Sequence, residues 1–192
     1  MCIRDSNVGI RVDANDHYST EEAIKFINKI EQLNVEHVEQ PISRYDFLGM
    51  REIRKSVNVP LMTDDMVSTP LDAMNVIRLD AADRVKVKVT KHGIDGAIQI
   101  ISMLSSAGKR AVLGHVFETG LAAVAEAHLA MLFPDIIGPH EIGSMEPLGV
   151  ADKILQEDPY CDHGSITIPE GVGLGVSVDW EQVENYKVNL FC

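Results

Sequence analysis

Four side chains in the first half of the chain could do chemistry together. Asp13, Glu39, Asp64 and Lys88 each stand at the C-terminal end of a short β-rich run. Three carboxylates brought to one point repel severely without a cation. Hard oxygen ligands in that number suit Mg2+, with water and substrate oxygens completing an octahedron. A lysine kept out of water beside a dication is biased toward its neutral form and can take a proton. Metal plus lysine is therefore a set for removing a weakly acidic proton next to a carboxylate: the metal holds the charge that builds on the carboxylate oxygens, and the lysine accepts the proton. Taken singly, an acid after a strand is more often a turn former or helix cap than a ligand, and a lone lysine is usually a solvated surface residue. The common phase of the four residues separates them from Asp16, Asp46 and Asp65, which read as caps or surface charges.

The elements that must position these residues alternate in type. Val8 to Val12 reads as a strand, and Ser19-Thr20-Glu21-Glu22 offers an N-cap. An apolar stripe at Ala23, Ile24, Ile27, Ile30 and Leu33 then has helical spacing. His37-Val38-Glu39 is strand-like, Leu48 to Val57 helix-like, and Pro60 to Thr63 a short strand. Pro70 to Leu79 fits a helix with proline in its first turn. Arg84 to Val89 alternates as a strand, and Ile94 to Ala107 is a helix ended by Gly108. Ala111 to Leu113 is the next strand, Leu121 to Leu132 a helix, and Asp135 to Ile142 a last strand. The segment from Ile166 to Val178 reads as a separate β-rich ribbon.

Such alternation means a parallel sheet with helices outside. Asp13, Glu39, Asp64, Lys88, His115 and Glu141 follow one another at spacings of 26, 25, 24, 27 and 26 residues. A regular unit of about 25 residues is the pitch of a (β/α)8 TIM-type barrel. No glycine-rich phosphate loop of the kinds expected in doubly wound sheets occurs. Six βα strands are present, which predicts an incomplete barrel with about strands 3–8 and two strands lying before residue 7. The strand C-termini of a barrel share one mouth, where its chemistry sits.

Composition narrows the partners. The 192 residues carry 17 basic and 29 acidic side chains, a formal charge of -12, with mean hydropathy +0.01. That field argues against a nucleic-acid partner held by phosphate contacts. No apolar run approaches the ~20 residues needed to span a bilayer, and Met1 to Ser6 lacks the apolar core of a secretory signal. Three cysteines, Cys2, Cys161 and Cys192, without a CxxC pair point to a reducing, cytoplasmic setting.

Asp13-Ala14-Asn15, Val38-Glu39-Gln40-Pro41, Pro60 to Asp65 and Lys88-Val89-Thr90-Lys91-His92-Gly93 resemble the strand-end motifs of the enolase superfamily, within it the mandelate racemase/muconate lactonizing enzyme group. Ile168 to Val176 is similar to that family's Pro-x-Gly-x-Gly-Leu-Gly segment. The resemblance covers about residues 7 to 179 and implies a partial enolase-type barrel over 7–150 and a C-terminal tail over 151–192. It implies Mg2+ as cofactor, with Asp13, Glu39 and Asp64 as ligands. Lys88 matches the lysine base of the muconate cycloisomerase-like members. By the same resemblance Asp65, which follows the third ligand, would touch a ligand side chain or face the substrate, and Glu118 matches the acid after the seventh strand, near the substrate carboxylate or metal end of the pocket. Glu141, with His140, lies at the eighth strand end, where it could touch substrate.

His115 stands near a position where racemase-type members carry a histidine oriented by an acid on the sixth strand. Lys88 occupies that strand here, so His115 reads as pocket lining or a satisfied polar residue, and His128 as a buried, hydrogen-bonded histidine. The Asp-x-Asp motif of dipeptide epimerases is not visible at the eighth strand, which disfavours that substrate class. The family's Lys-x-Lys on the second barrel strand and its N-terminal capping domain are not in this sequence. The chain is therefore expected to be a truncated piece of a longer enzyme, inactive by itself, with Met1 to Ser6 not native barrel sequence.

The activity implied is abstraction of the proton alpha to a carboxylate, giving a metal-stabilised enolate. Epimerisation or racemisation, cycloisomerisation or dehydration of a small carboxylate would follow, and the strand ends do not choose among these outcomes. Association into a homo-oligomer is compatible with this reading. A different class of function stays open: a non-catalytic barrel fragment that only binds a divalent ion or a partner subunit. A barrel enzyme using a lysine Schiff base is a third, and it would not need the three acids.

Overall fold

The computed structural model describes residues 9–116, 118–133, 136, 138, 140–142, 154–157, 161–162 and 165–187. Among them, the chain divides into two compact units. The first holds the residues up to Val87 and Asp95–Val112; the second holds Lys88–Ile94 and the residues from Leu113 onward.

The first unit is a succession of βα pairs. Strand β1 (Ile10–Asp13) leads to helix α1 (Thr20–Ile30), whose start is fixed reciprocally. The Ser19 side chain accepts from the Glu22 N–H, and the Glu22 carboxylate accepts from the Ser19 N–H at 3.0 Å. A single 3-10 turn and a left-handed Asn34 (φ 56°) turn the chain into β2 (Val35–Glu39). Helix α2 (Phe47–Ser56) is capped by Asp46, which accepts from the Gly49 N–H at 2.8 Å. After β3 (Leu61–Thr63), helix α3 (Pro70–Leu79) has the expected limits, with proline in its first turn and a Thr69/Asp72 capping box. Strand β4 (Arg84–Val87), helix α4 (Val89–Ser106) and strand β5 (Arg110–Leu113) continue the series, the last residue of β5 belonging to the second unit.

The sheet order is β1-β2-β3-β4-β5, and the pairs from β1 to β4 are parallel. Sequential order without a reversal is what a barrel wall requires; a doubly wound sheet reverses at a switch point. The fold is thus α/β, a run of (β/α) units of an incomplete barrel. Alternation along the strands sends Val38, Leu61, Val85 and Val87 into a core shared with Ile27, Met50 and Ile53, all buried. The opposite parity carries the polar residues of the site.

Two expectations are corrected. Strand β4 ends at Val87 rather than Val89, because the Lys88 carbonyl accepts the N–H groups of Lys91 and His92 and so begins a helical turn. That turn is separated from the body of α4 by Gly93, whose φ of 67° is left-handed and suits glycine. The β-rich ribbon of 166–178 is largely loop. Among the described residues there, the two-residue strands β6 (Cys161–Asp162) and β7 (Ser165–Ile166) pair antiparallel, and Leu155 and Val178 form a separate isolated bridge. Gly171, Gly173 and Gly175 all have positive φ, which breaks a strand ladder. A Cβ on Gly175 would stand 2.7 Å from the Pro169 carbonyl oxygen, so this turn requires glycine.

The second unit contains helix α5 (Gly120–Leu132), the β6–β7 hairpin and a short helix α6 (Trp180–Asn185) capped by Asp179, which the sequence pattern did not announce. Of the expected strand 135–142, the described residues 136, 138 and 140–142 form no strand, so that expectation is corrected as well. Of its described part, Glu141 donates its N–H to the Leu113 carbonyl at 2.8 Å. No helix among the described residues is long and apolar enough to cross a membrane.

Candidate functional site

Register places the acids of the first unit at the C-terminal ends of neighbouring strands. Asp13, the last residue of β1, lies directly opposite Glu39, the last residue of β2. Glu39 in turn lies opposite Met62, and Asp64, two residues further on, has the same parity. Asp13 is exposed, and its carboxylate accepts the Asn15 N–H at 3.0 Å and the Asn15 side-chain amide at 2.9 Å. Asp64 is half-buried.

Glu39 is the electrostatic centre of this group. It is 3% exposed. Burial pushes its carboxyl up to about 7; the Lys86 ammonium holds it down from going further, while Asp13 and Asp64 raise it. Oε2 accepts from Lys86 Nζ at 2.6 Å, and Oε1 is buried with no hydrogen-bond partner among the described residues. An orphaned buried carboxylate oxygen, with two further carboxylates acting on it, is a donor set short of positive charge. The residues present therefore fit a hard divalent cation.

Lys86 was missed in the sequence. Met62 lies opposite Arg84 in the β3–β4 register, so Lys86, two residues on, shares the parity of the acids. The signal available was the alternation Arg84-Val85-Lys86-Val87-Lys88. Gln40 and Arg44 were missed as well. The buried Gln40 side chain accepts the N–H groups of Asp64 and Met66 at 3.0 and 3.3 Å. Arg44 reaches Asp16 at 2.8 Å and Asp65 at 2.7 Å. Asp65 thus stands in an ion pair beside the third acid, and Asp46 is a helix cap, as expected.

The second unit carries Lys88, 6% exposed, at the head of a tightly held turn. The Lys88 N–H donates to His92 Nδ1 at 3.1 Å. The next residue, Val89, donates its N–H to Glu126 Oε1 at 3.2 Å, and the Thr90 hydroxyl donates to Glu118 Oε1 at 2.9 Å. Glu118, 5% exposed, also accepts the Val116 N–H at 2.5 Å, and its Oε2 lies 3.8 Å from His115 Nδ1. Glu118 therefore ties the turn after Lys88 to the entry of α5. Glu126 is wholly buried on α5, and burial pushes its carboxyl up to about 8. His128 lies with Nε2 3.2 Å from the Leu174 carbonyl oxygen, hydrogen-bonded as expected but half-buried rather than buried. Glu141 is half-buried, and His140 Nδ1 accepts the Leu113 N–H at 3.4 Å.

Parallel βα units in sequential order, with acids closing successive strands and a buried lysine directly after the fourth, define a barrel domain of the enolase type. The chain belongs to the enolase C-terminal domain-like family, which matches residues 3–183, and to the mandelate racemase/muconate lactonizing enzyme group within the enolase superfamily. Muconate cycloisomerase 1 of Rhodococcus opacus is 31% identical over 183 residues, 94% of this chain and 48% of that protein. L-Ala-D/L-Glu epimerase of Bacillus subtilis (strain 168) is 36% identical over 174 residues, 89% of this chain and 47% of that protein. The structure of a dipeptide epimerase from Cytophaga hutchinsonii, complexed with Mg and the dipeptide D-Ala-L-Val, superposes with a TM-score of 0.85 at 28% identity, covering 93% of this chain and 48% of that one. The chain spans about half the length of the curated relatives it matches.

Proposed function

We propose that this chain carries the metal-binding and proton-abstracting part of an Mg2+-dependent enzyme that removes the proton alpha to a carboxylate. The observation that carries this reading is the Glu39 carboxyl: buried, raised by burial and by Asp13 and Asp64, and left with one orphaned oxygen. Asp13, Glu39 and Asp64 would hold the ion. Mg2+ bound there supplies positive charge for the substrate carboxylate as its alpha carbon loses a proton. Lys88 is the residue assigned to take that proton, on the strength of its burial and its place in the strand-end series. Glu118 and the Val89 N–H contact to Glu126 hold the turn that bears Lys88 in place. Asp65, His115 and Glu141 are assigned to the surroundings of the substrate.

The product follows from where the proton or the new bond goes next: epimerisation or racemisation, cycloisomerisation, or dehydration. The named relatives include both muconate cycloisomerases and dipeptide epimerases, so small carboxylates of both kinds belong in the first screen.

The test has two parts. Calorimetry on the chain should show saturable Mg2+ binding that an Asp13→Ala/Glu39→Ala double variant loses. The full-length protein, incubated in D2O with Mg2+ and a panel of dipeptides and muconate-like acids, should exchange an alpha proton of its substrate, and Lys88→Met should stop the exchange. Binding without exchange on any of these acids would favour the other reading, a barrel piece that only binds a divalent ion. Absence of Mg2+ binding by a cooperatively folded chain would sink the ligand assignment.

A further inference from the structure

Gln40 follows Glu39 directly and touches the segment of each of the other two acids. Its own carbonyl accepts the Asp16 N–H at 2.9 Å, in the loop that leaves Asp13. Its side-chain Oε1 accepts the Asp64 N–H at 3.0 Å and the Met66 N–H at 3.3 Å, in the loop that leaves β3. Its Nε2 donates to the Ile42 carbonyl at 2.8 Å, and its backbone N–H donates to the Met62 carbonyl at 2.9 Å. The residue is 3% exposed and has a φ of 36°, a left-handed conformation that a glutamine adopts only under constraint. A left-handed residue here turns the chain sharply after Glu39, so that the amide reaches across to the next strand.

We propose that Gln40 is the positioning residue of the three-carboxylate site, tying the Asp13, Glu39 and Asp64 segments to one another and so favouring the ion with the stricter geometry, Mg2+, over Ca2+. The inference rests on the metal reading given above. Mg2+ demands near-ideal octahedral geometry at about 2.0–2.1 Å, whereas Ca2+ accepts longer, irregular contacts of about 2.3–2.6 Å. A cage whose loops are tied by one buried amide serves the stricter ion. Loosening it harms Mg2+ first.

The experiment measures Mg2+ and Ca2+ separately by calorimetry on the chain and on Gln40→Met, which keeps the volume but makes none of the three side-chain hydrogen bonds. Mg2+ affinity is expected to fall about tenfold or more, the usual scale for outer-shell partners of a metal site, and Ca2+ affinity to fall by a clearly smaller factor. General destabilisation does not predict a changed ratio of the two affinities below the melting transition. If Gln40→Met shows no cooperative transition, Gln40→Asn decides in its place, since its amide stops one methylene short of the Asp64 N–H. Wild-type chain that binds Mg2+, with a variant whose Mg2+ to Ca2+ ratio is unchanged, overturns this inference and leaves the metal reading standing. A folded wild-type chain that binds no Mg2+ overturns both.

Discussion

Lys86 Nζ lies 2.6 Å from Glu39 Oε2, and both side chains are almost wholly buried. Taking one partner from such a pair leaves the other charge uncompensated, at a cost of about 3–5 kcal/mol. Lys86→Met at pH 8 with chelator present is expected to lower the unfolding free energy on that order, read from denaturant melts. A divalent ion bound by Glu39 supplies charge to the same carboxylate. Mg2+ should therefore stabilise Lys86→Met by more than it stabilises the unaltered chain. Equal stabilisation of the two would show that the lysine and the ion do not share Glu39.

Glu126 gives stability a pH dependence of defined sign. Its carboxyl titrates at about 8 in the fold, against 4.5 ordinarily, first because it is buried and also because Glu118 lies near. Below about 4.5 the proton is held in both folded and unfolded chains, and the group contributes no slope. Between 4.5 and about 8 only the folded chain keeps it, so stability falls as pH rises. Above that window both forms are ionised and the loss is complete. The limiting slope for one group is about 1.4 kcal/mol per pH unit. Glu126→Gln keeps an acceptor for the Val89 N–H and cannot ionise. The difference in unfolding free energy between variant and parent should therefore grow through this window, and a difference that stays flat would place the Glu126 proton elsewhere.

Lys88 and the acids should separate by measurement. Lys88→Met in the full-length protein is expected to leave Mg2+ affinity within about twofold, because the residue is assigned no metal contact. It should slow alpha-proton exchange by about 10^2 to 10^4, the usual contribution of a positioned general base. A variant that loses Mg2+ binding and exchange together would place Lys88 in the cage instead.

What could be read beforehand was what is local. Helix α3 has its limits written in Thr69, Pro70 and Asp72, each acting within four residues. The acids were legible because a barrel repeats them at one pitch. Lys86 was not, since a lysine alternating along a strand reads as solvated. Only the β2–β3–β4 register, which places it against Glu39 47 residues away, buries it. Strand β4 overran for a similar reason: the alternation Lys86-Val87-Lys88-Val89 continues past the point where the Lys88 carbonyl is taken by the turn. Glu126 did leave a mark, the single acid inside the Gly120–Leu132 helix, whose other residues are apolar apart from His128. Gln40 stood inside the quoted Val38-Glu39-Gln40-Pro41 motif without showing its role, which rests on contacts across two neighbouring strands.

Arg44 offers the contrast to Gln40. It joins Asp16 and Asp65, which flank the segments of Asp13 and Asp64, but its side chain is 41% exposed and the pairs are open to water. Exposed pairs hold geometry weakly, each stabilising by about 0–1 kcal/mol. Arg44 should then act on the site through charge rather than position. Arg44→Met removes one positive charge from beside two carboxylates near the site, which deepens the negative potential felt by an incoming dication. Mg2+ affinity is expected to rise about two- to fivefold at low ionic strength, and the gain to vanish near 1 M salt, where the screening length falls to about 3 Å. A fall in affinity that persists at both ionic strengths would mean instead that Arg44 holds the loops as Gln40 does. Calorimetric titrations at the two salt concentrations separate the outcomes, because a geometric effect is insensitive to screening and a charge effect is not.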